Sequence, residues 1–147
     1  MRSILLLLLT LTSSPAIAIV VDGEGVSFQK GQNQPWHGCC SLEYYQEALS
    51  LMSSDLPVII FSDDPEWALS QELFESDRFY VSQGNSNLFD MCLMTLCDHH
   101  IIANSSFSWW GAWLNQNPEK IVIAPKKWYA NVQSQNPDII PSSWLTF

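Results

Sequence analysis

Residues 57–64 are Pro57-Val58-Ile59-Ile60-Phe61-Ser62-Asp63-Asp64, a short apolar run that stops abruptly at three polar residues. An uninterrupted apolar run of this length favours a strand that is buried on both faces, as in a parallel sheet. Asp64, Pro65 and Glu66 then favour a helix start: aspartate caps free N–H groups, proline suits the first turn, and glutamate complements the helix dipole. The stretch therefore predicts a parallel strand that leads directly into a helix.

The alternation of strand and helix continues on both sides of this stretch. Ser41 is a predicted N-cap followed by apolar residues at helical spacing, and a short strand is predicted at 78–82. Strands that alternate with helices of about ten residues indicate βαβ units. We therefore predict an α/β fold, a Rossmann-like parallel sheet with helices on both faces, in which ligands bind outside the carboxyl ends of the strands. Further along, the pattern predicts helices at 87–97 and 106–115, strands at 99–103 and 120–124, and an irregular tail at 126–147.

The first 21 residues are mostly apolar and precede a glycine-rich loop at 22–38. A basic start, a short apolar run and the small residues Ala16 and Ala18 are typical of a secretory signal, and the run is short for a membrane span. A buried first strand, or a start codon placed inside a longer gene, explains the segment equally well. We divide the chain into a signal-like or first-strand segment at 1–21 and a folded domain at 22–147. The signal predicts membrane association or the secretory pathway, whereas a misplaced start predicts a cytoplasmic protein.

The chain has 147 residues, a formal net charge of −9, and 14% charged against 47% hydrophobic residues. This composition supports one domain with its own core and excludes intrinsic disorder. The excess of acids argues against nucleic acid as a partner, because binding to a phosphate backbone needs positive charge on the protein. Seven tryptophans in so short a chain indicate either core packing or surfaces that stack on sugar.

Two acidic groups lie where this layout positions ligands. Asp63 and Asp64 follow the strand at 58–61, where two carboxylates can hold a ribose hydroxyl, a sugar or a metal; a helix cap plus a surface acid is the alternative. Asp90 lies in a helix that is apolar nearly all round, so its carboxylate needs a partner, which the N–H groups of a guanine edge would supply. Alternatively, Asp90 complements the helix dipole from the first turn.

A third polar group, Asn104-Ser105-Ser106, follows a predicted strand and opens the next helix. Free N–H groups and small hydroxyls at a helix start bind an anion without arginine or lysine. The triplet also fits the N-glycosylation pattern, but a helix entry at a ligand cleft is a poor glycan acceptor. The sequence contains no P-loop, G-x-G-x-x-G or G-x-S-x-G motif, which argues against those nucleotide-binding and hydrolase classes.

Three motifs carry a resemblance to a known family. Residues 104–114 are N-S-S-F-S-W-W-G-A-W-L, a run with three tryptophans. Residues 37–45 are similar to an H-G-x-C-S-L-x-Y-Y segment, and residues 61–67 to F-S-D-D-x-x-W. Through these motifs the chain, from about His37 to Trp144, resembles the α-1,2-fucosyltransferases of glycosyltransferase family 11.

The resemblance implies an inverting enzyme of the two-lobed GT-B type that transfers fucose from GDP-fucose to the 2-hydroxyl of a galactose-terminated glycan acceptor. Residues 22–147 resemble the C-terminal, GDP-fucose-binding lobe, with the acceptor lobe absent. No metal and no cofactor other than the donor substrate is implied. The implied donor-binding residues are Asp63, Asp64, Asp90, Asn104, Ser105 and Ser106, and the residues implied to support the donor site are Phe107, Trp109, Trp110 and Trp113.

The sequence departs from the family pattern at one place. The family's H-x-R-R-G-D motif corresponds to residues 19–24, which here are Ile-Val-Val-Asp-Gly-Glu. Without the arginines, a departing diphosphate loses stabilisation of several kcal/mol, taking about 3 kcal/mol for one oxyanion donor. We expect a fragment that binds GDP and transfers fucose poorly, with Glu24 as the candidate catalytic base. The alternative is a non-catalytic secreted module that stacks carbohydrate on Trp36, Trp67, Trp128 or Trp144.

Overall fold

The computed structural model describes residues 15–22, 39–130, 133 and 136–147. This part of the chain contains a six-stranded sheet with the order β3-β2-β1-β4-β5-β6, and its neighbouring strands all pair in parallel. The strands are β1 (Ile17–Val20), β2 (Val58–Phe61), β3 (Phe79–Val81), β4 (His99–Ile101), β5 (Val122–Ala124) and β6 (Leu145–Thr146).

Strand β1 lies inside the sheet and pairs with both β2 and β4. Ala18 is opposite Ile59 on one side and His100 on the other. The chain builds outward from β1 to β3 and then returns to add β4, β5 and β6 on the other side. This is the strand order of a Rossmann-type sheet, so the predicted fold class is confirmed. The reversal leaves a crevice at the carboxyl ends of β1 and β4, where doubly wound sheets bind ligands.

The helices begin at the predicted caps. Ser41 Oγ accepts a hydrogen bond from the N–H of Tyr44 at 3.3 Å, and Asp64 Oδ1 accepts one from the N–H of Trp67 at 3.0 Å. Each bond satisfies an N–H group that the helix leaves unpaired. The helices are α1 (Leu42–Ser50), α2 (Pro65–Leu69), α3 (Asn87–Leu96) and α4 (Ser106–Leu114), and a 3₁₀ turn occupies Glu72–Phe74.

Apolar side chains cover both faces of the sheet. Successive residues of a strand point to opposite faces. On one face Ile17 and Ile19 of β1 pack in a cluster with Tyr45 of α1. On the other face Ala18 packs in a cluster with Leu93 of α3. Strands buried on both faces explain why the apolar runs in the sequence are continuous rather than alternating.

The carboxyl-terminal tail packs against the sheet through two tryptophans. Trp128 and Trp144 are 7% and 8% exposed and share a cluster with Ile102 and Ala112. The indole of Trp109 donates to the carbonyl of Ile139 at 2.8 Å, which fastens the tail to α4. The tail is predicted to be irregular, but it also contains the short strand β6, which the sequence did not indicate.

The apolar segment at the amino end contributes the central strand. Ile17, Ile19 and the other residues of β1 are buried, and β1 hydrogen bonds to strands on both sides. Residues 1–14 lie outside the described residues, so the secretory signal stays a prediction. Among the described helices, none has the length and apolar character needed to cross a membrane.

Candidate functional site

A cavity of about 660 Å³ opens at the carboxyl ends of β1, β2 and β4, at the crevice expected from the strand order. Residues that follow three neighbouring strands converge there, together with the start of α3 and part of the tail. The lining comprises Val20, Val21, Asp22, Cys39, Phe61, Ser62, Asp63, Asn87, Asp90, Asn104, Ser105, Ser106, Phe107, Trp128 and Tyr129.

Asp90 lines this cavity from the first turn of α3. Its Oδ1 accepts hydrogen bonds from Ser82 Oγ at 2.7 Å and from Asn85 Nδ2 at 3.4 Å, and the Asn85 amide also donates to Ser82 Oγ at 2.8 Å. The partner expected for Asp90 is thus supplied in part by the protein, and the residue also lies where it complements the helix dipole. Both bonds reach the same oxygen and orient the carboxylate at the cavity wall.

Asp63 and Asp64 differ in position. Asp63 is exposed and lines the cavity. Asp64 caps α2 through Oδ1, and its own N–H donates to Ser62 Oγ at 3.0 Å. Asp64 is absent from the cavity lining, so its observed contacts are those of a helix cap, the structural alternative for this residue.

Asn104 ties together three segments around the cavity. Its side chain is 6% exposed, and its Nδ2 donates to the carbonyl of Trp128 at 3.0 Å. Its Oδ1 accepts from the thiol of Cys40 at 3.7 Å. Asn104 therefore holds the end of β4, the start of the tail and the segment before α1 at fixed spacing around the opening.

Ser105 and Ser106 begin α4 at the cavity wall. Ser105 Oγ caps the helix by accepting from the N–H of Ser108 at 3.2 Å, and it lies 2.8 Å from Ser108 Oγ. The Ser108 hydroxyl is buried and contacts the carbonyl of Ala103 at 2.9 Å. Ser106 is exposed on the first turn. The Ser105 hydroxyl is thus engaged by the helix, whereas Ser106 presents its side chain to solvent at the cavity wall.

The aromatic residues of α4 occupy two kinds of position. Phe107 lines the cavity and packs against the cluster that contains Leu93. Trp109 stacks on Trp113 with ring centroids 5.1 Å apart, packs against Trp144 at 5.6 Å, and meets Trp110 edge-on. Trp110 and Trp113 are each 49% exposed, and none of the three tryptophans lines the cavity. Trp109 therefore braces the helix against the tail, one layer behind the cavity.

The cavity wall is acidic. Asp22, Asp63 and Asp90 line it, and its described lining includes no lysine or arginine. No group of three or more His, Cys, Asp or Glu side chains that could hold a metal ion occurs among the described residues. The expectation of a metal-free reaction stays a prediction.

A second cavity, of about 380 Å³, adjoins the first and shares the residues Cys39, Asn104 and Tyr129 with it. Lys126 and Lys127, which follow β5, line this second cavity. Tyr44 also lines it, and its hydroxyl shares its one hydrogen between the carbonyls of Ile102 and Ile123 at 2.8 and 3.2 Å. Burial raises the pKa of the Cys40 thiol to about 11 and also raises the pKa of Tyr44, so both groups stay protonated and neutral at neutral pH.

Sequence reasoning missed several residues at the opening. Asp22, which the sequence marks only as a departure from an arginine motif, lines the cavity. Ser82 and Asn85 orient Asp90 from the turn after β3. Strand order alone would have pointed to Asp22, since it follows the central strand at the switch point. Glu24, the candidate base, and Trp36 lie outside the described residues.

Comparison with known proteins identifies relatives over most of the chain. A family model described as glycosyl transferase family 11 matches residues 25–147. The O-antigen biosynthesis glycosyltransferase WbnK of Escherichia coli is 37% identical over 117 residues, which cover 75% of this chain and 37% of that protein. An α-1,2-colitosyltransferase of Escherichia coli is 39% identical over 115 residues, covering 74% of this chain and 40% of that protein.

The chain thus spans about two fifths of the length of these curated relatives. No solved structure gives a significant match. The family match begins at residue 25, just after the six residues at which the sequence lacks the arginine motif. The resemblance is confirmed at the level of the family, and the matched region contains α3, α4 and both lysines of the second cavity.

Proposed function

Since the chain belongs to glycosyl transferase family 11, we propose that it is the donor-binding part of an α-1,2-fucosyltransferase. In this proposal it binds GDP-fucose, and the 2-hydroxyl of a terminal galactose receives the fucose with inversion. Because the chain covers less than half of its curated relatives, the acceptor side of the reaction is assigned to regions it does not match.

The observation that carries the proposal is the oriented carboxylate of Asp90 in the switch-point cavity. Ser82 and Asn85 hold Oδ1, and no hydrogen bond to the second oxygen is found among the described contacts of Asp90, which lines the cavity. A carboxylate accepts well from two adjacent N–H groups, and the guanine edge carries such a pair while the adenine edge does not. Exposed Ser106 and the start of α4 lie on the same cavity and suit a phosphate.

The proposed reaction breaks the bond between the anomeric carbon and the β-phosphate oxygen, and the electron pair leaves with GDP. The acceptor 2-hydroxyl forms the new bond from the opposite face and gives its proton to a base, for which Glu24 is the candidate. Asp22 lines the larger cavity, and no lysine or arginine in the described lining offsets its charge. Like charge near a leaving diphosphate opposes its departure, so we expect the chain to bind GDP but to transfer fucose slowly.

Two other candidates each have an observation in their favour. The relative that is 39% identical is named for the transfer of colitose in an α-1,2 linkage, which supports colitose as an alternative donor sugar. For a non-catalytic carbohydrate-binding module, Trp128 and Trp144 are too deeply buried to stack on sugar as expected, and the half-exposed indoles are instead those of Trp110 and Trp113.

Calorimetric titration of the chain with GDP, ADP and free galactosides tests the proposal. We expect saturable binding of GDP and weaker binding of ADP. Asp90→Ala should weaken GDP binding by about tenfold to a hundredfold, the value of a hydrogen bond to a charged group, and should abolish the preference over ADP.

The matched control is Asp77→Ala, which removes an exposed acid outside the cavity lining and should leave both affinities unchanged. Thermal unfolding of each variant confirms that it is folded. Saturable heat with galactosides and none with any nucleotide would reject the donor-binding proposal in favour of the carbohydrate-binding module.

A further inference from the structure

Charge is distributed unevenly along the carboxyl edge of the sheet. In spatial order β2, β1, β4 and β5, the residues after the strands are Asp63, Asp22, the triplet 104–106, and then Lys126 with Lys127. The edge is therefore acidic at one side, neutral where α4 begins, and basic at the other side. The acidic and basic residues are far apart in sequence, and the order of the strands in the sheet arranges their charges along this edge.

The two cavities are neighbours along this edge. They share Cys39, Asn104 and Tyr129, so one set of side chains borders both cavities. A ligand that extends from the larger cavity past these shared side chains would meet Lys126 and Lys127, which line the smaller one.

The other basic residues in the described part of the chain serve the fold. Lys120 Nζ donates to the carbonyls of Ala112 and Asn115 at 2.9 and 2.7 Å, where it compensates the negative end of α4. Arg78 precedes β3, the outermost strand on the side of the sheet away from β5, and donates to the carbonyl of Ser53 at 3.2 Å. Lys126 and Lys127, by contrast, are exposed and line a cavity.

A nucleoside diphosphate would meet like charge in the larger cavity alone. Three carboxylates line that cavity without a basic residue in its described lining, so charge repulsion there opposes the attraction of the α4 start for a phosphate. The base, which offers N–H donors, suits the acidic side, and the phosphates suit the basic side. The charge pattern thus selects one direction for the ligand along the edge.

We propose that Lys126 and Lys127 form the anion subsite for the diphosphate of the nucleotide sugar, with the base at the acidic side of the edge. The inference rests on the proposed donor-binding function and adds the residues that neutralise the phosphates. The paired lysines after β5 then supply cationic charge that the residues after β1 do not.

Titration with GDP and with guanosine tests this subsite. In the double variant Lys126→Gln, Lys127→Gln we expect GDP affinity to fall by at least about tenfold, on the scale of one lost charge-assisted hydrogen bond. Guanosine affinity should stay unchanged, because guanosine has no phosphate. The double variant Lys126→Arg, Lys127→Arg keeps both charges and should retain GDP binding.

Salt provides a second measurement. Raising the salt concentration from about 0.05 M to about 0.5 M should weaken GDP binding to the original chain more than to the glutamine variant, because exposed charge pairs are screened. Arg78→Gln is the control, since it removes a positive charge beside β3, on the side of the sheet away from β5. It should leave the affinity for GDP and the salt dependence of that affinity unaltered.

The outcomes separate this inference from the proposal on which it rests. Equal GDP affinity in the original chain and the folded glutamine variant would overturn the lysine subsite while leaving the donor-binding function in place. A parallel loss of guanosine affinity would also overturn it, because the lysines would then act on the whole cavity. Absence of GDP binding to the original chain would reject the donor-binding function together with the subsite.

Discussion

His100 is expected to make the stability of the fold depend on pH. It is 1% exposed in β4, and burial, with Lys120 and His99 nearby, lowers its pKa from the ordinary 6.5 to about 3. Its Nε2 lies 2.7 Å from the Asn115 amide nitrogen. The orientation of Asn115 is set by two further contacts: its nitrogen donates to the carbonyl of Cys97, and its oxygen accepts from the N–H of Asn117.

The amide nitrogen of Asn115 can only donate, so Nε2 of His100 must accept and must be unprotonated. In the unfolded chain the same imidazole takes up a proton as the pH falls below its ordinary pKa of 6.5, whereas the folded state resists protonation until about pH 3. The contribution of neutral His100 to the free energy of unfolding is therefore fully present at neutral pH, and it is lost progressively as the pH falls from 6.5 toward about 3. At about pH 5 the expected loss is about 2 kcal/mol, since each pH unit below the unfolded pKa corresponds to about 1.4 kcal/mol.

Urea unfolding followed by tryptophan fluorescence measures this effect when it is run at about pH 7.5 and at about pH 5. Between the two pH values, the free energy of unfolding of the original chain should fall by about 2 kcal/mol more than that of His100→Gln, since glutamine cannot take up the proton. Gln83→Ala is the control, because Gln83 is exposed and takes up no proton, and it should behave as the original chain.

Should His100→Gln fail to fold, the imidazole NMR signals of the original chain still decide the matter. The signals of His100 should not shift between about pH 7.5 and about pH 5, where an ordinary imidazole titrates. Equal losses in the original chain and the variant, or titration of His100 within the folded state, would refute the reasoning.

Three further outcomes follow from packing, capping and burial. Gly111→Ala should destabilise the fold by about 1–3 kcal/mol in thermal unfolding, because a new Cβ would lie 2.7 Å from Sδ of buried Met94, between α3 and α4; unchanged stability would contradict the close packing. Ser105→Ala should cost about 1 kcal/mol in urea unfolding through loss of the α4 cap, and no loss would show the cap to be dispensable. A thiol reagent should modify exposed Cys92 quickly and Cys97 only after unfolding, since burial raises the pKa of Cys97 to about 12, and mass spectrometry of the labelled peptides distinguishes the two.

Local sequence patterns predicted most helices and strands, but they did not predict which strands pair with each other in the sheet. The caps at Ser41 and Asp64 and the strand at 58–61 depend on residues adjacent in sequence, and all three are present. The position of β1 between β2 and β4 depends on pairing between distant segments, which no local pattern records. Strand β6 has two residues, both exposed, so it carries no apolar signature to detect.

The sequence likewise predicted only some residues of the candidate site. Asp63, Asp90 and the triplet 104–106 follow strands or begin helices, and the structure brings them to one cavity. Asp64 shows how ambiguous such a position is, since one carboxylate suits a cap and a ligand equally well and the observed contact is the cap. No local pattern marks the lysines after β5, because their nearness to the triplet arises only from the pairing of β4 with β5.

Binding and transfer make different electrostatic demands on this edge. Binding of a ground-state diphosphate requires charge compensation anywhere along its length, which Lys126 and Lys127 can provide from the side of β5. Departure of that diphosphate requires donors at the oxygen where the new charge develops. The residues that follow the central strand, Val21 and Asp22, offer no positive side chain for that step. In the proposed donor-binding role, a chain of this composition can keep an affinity for nucleotide while its rate of transfer falls, so binding and turnover must be measured separately.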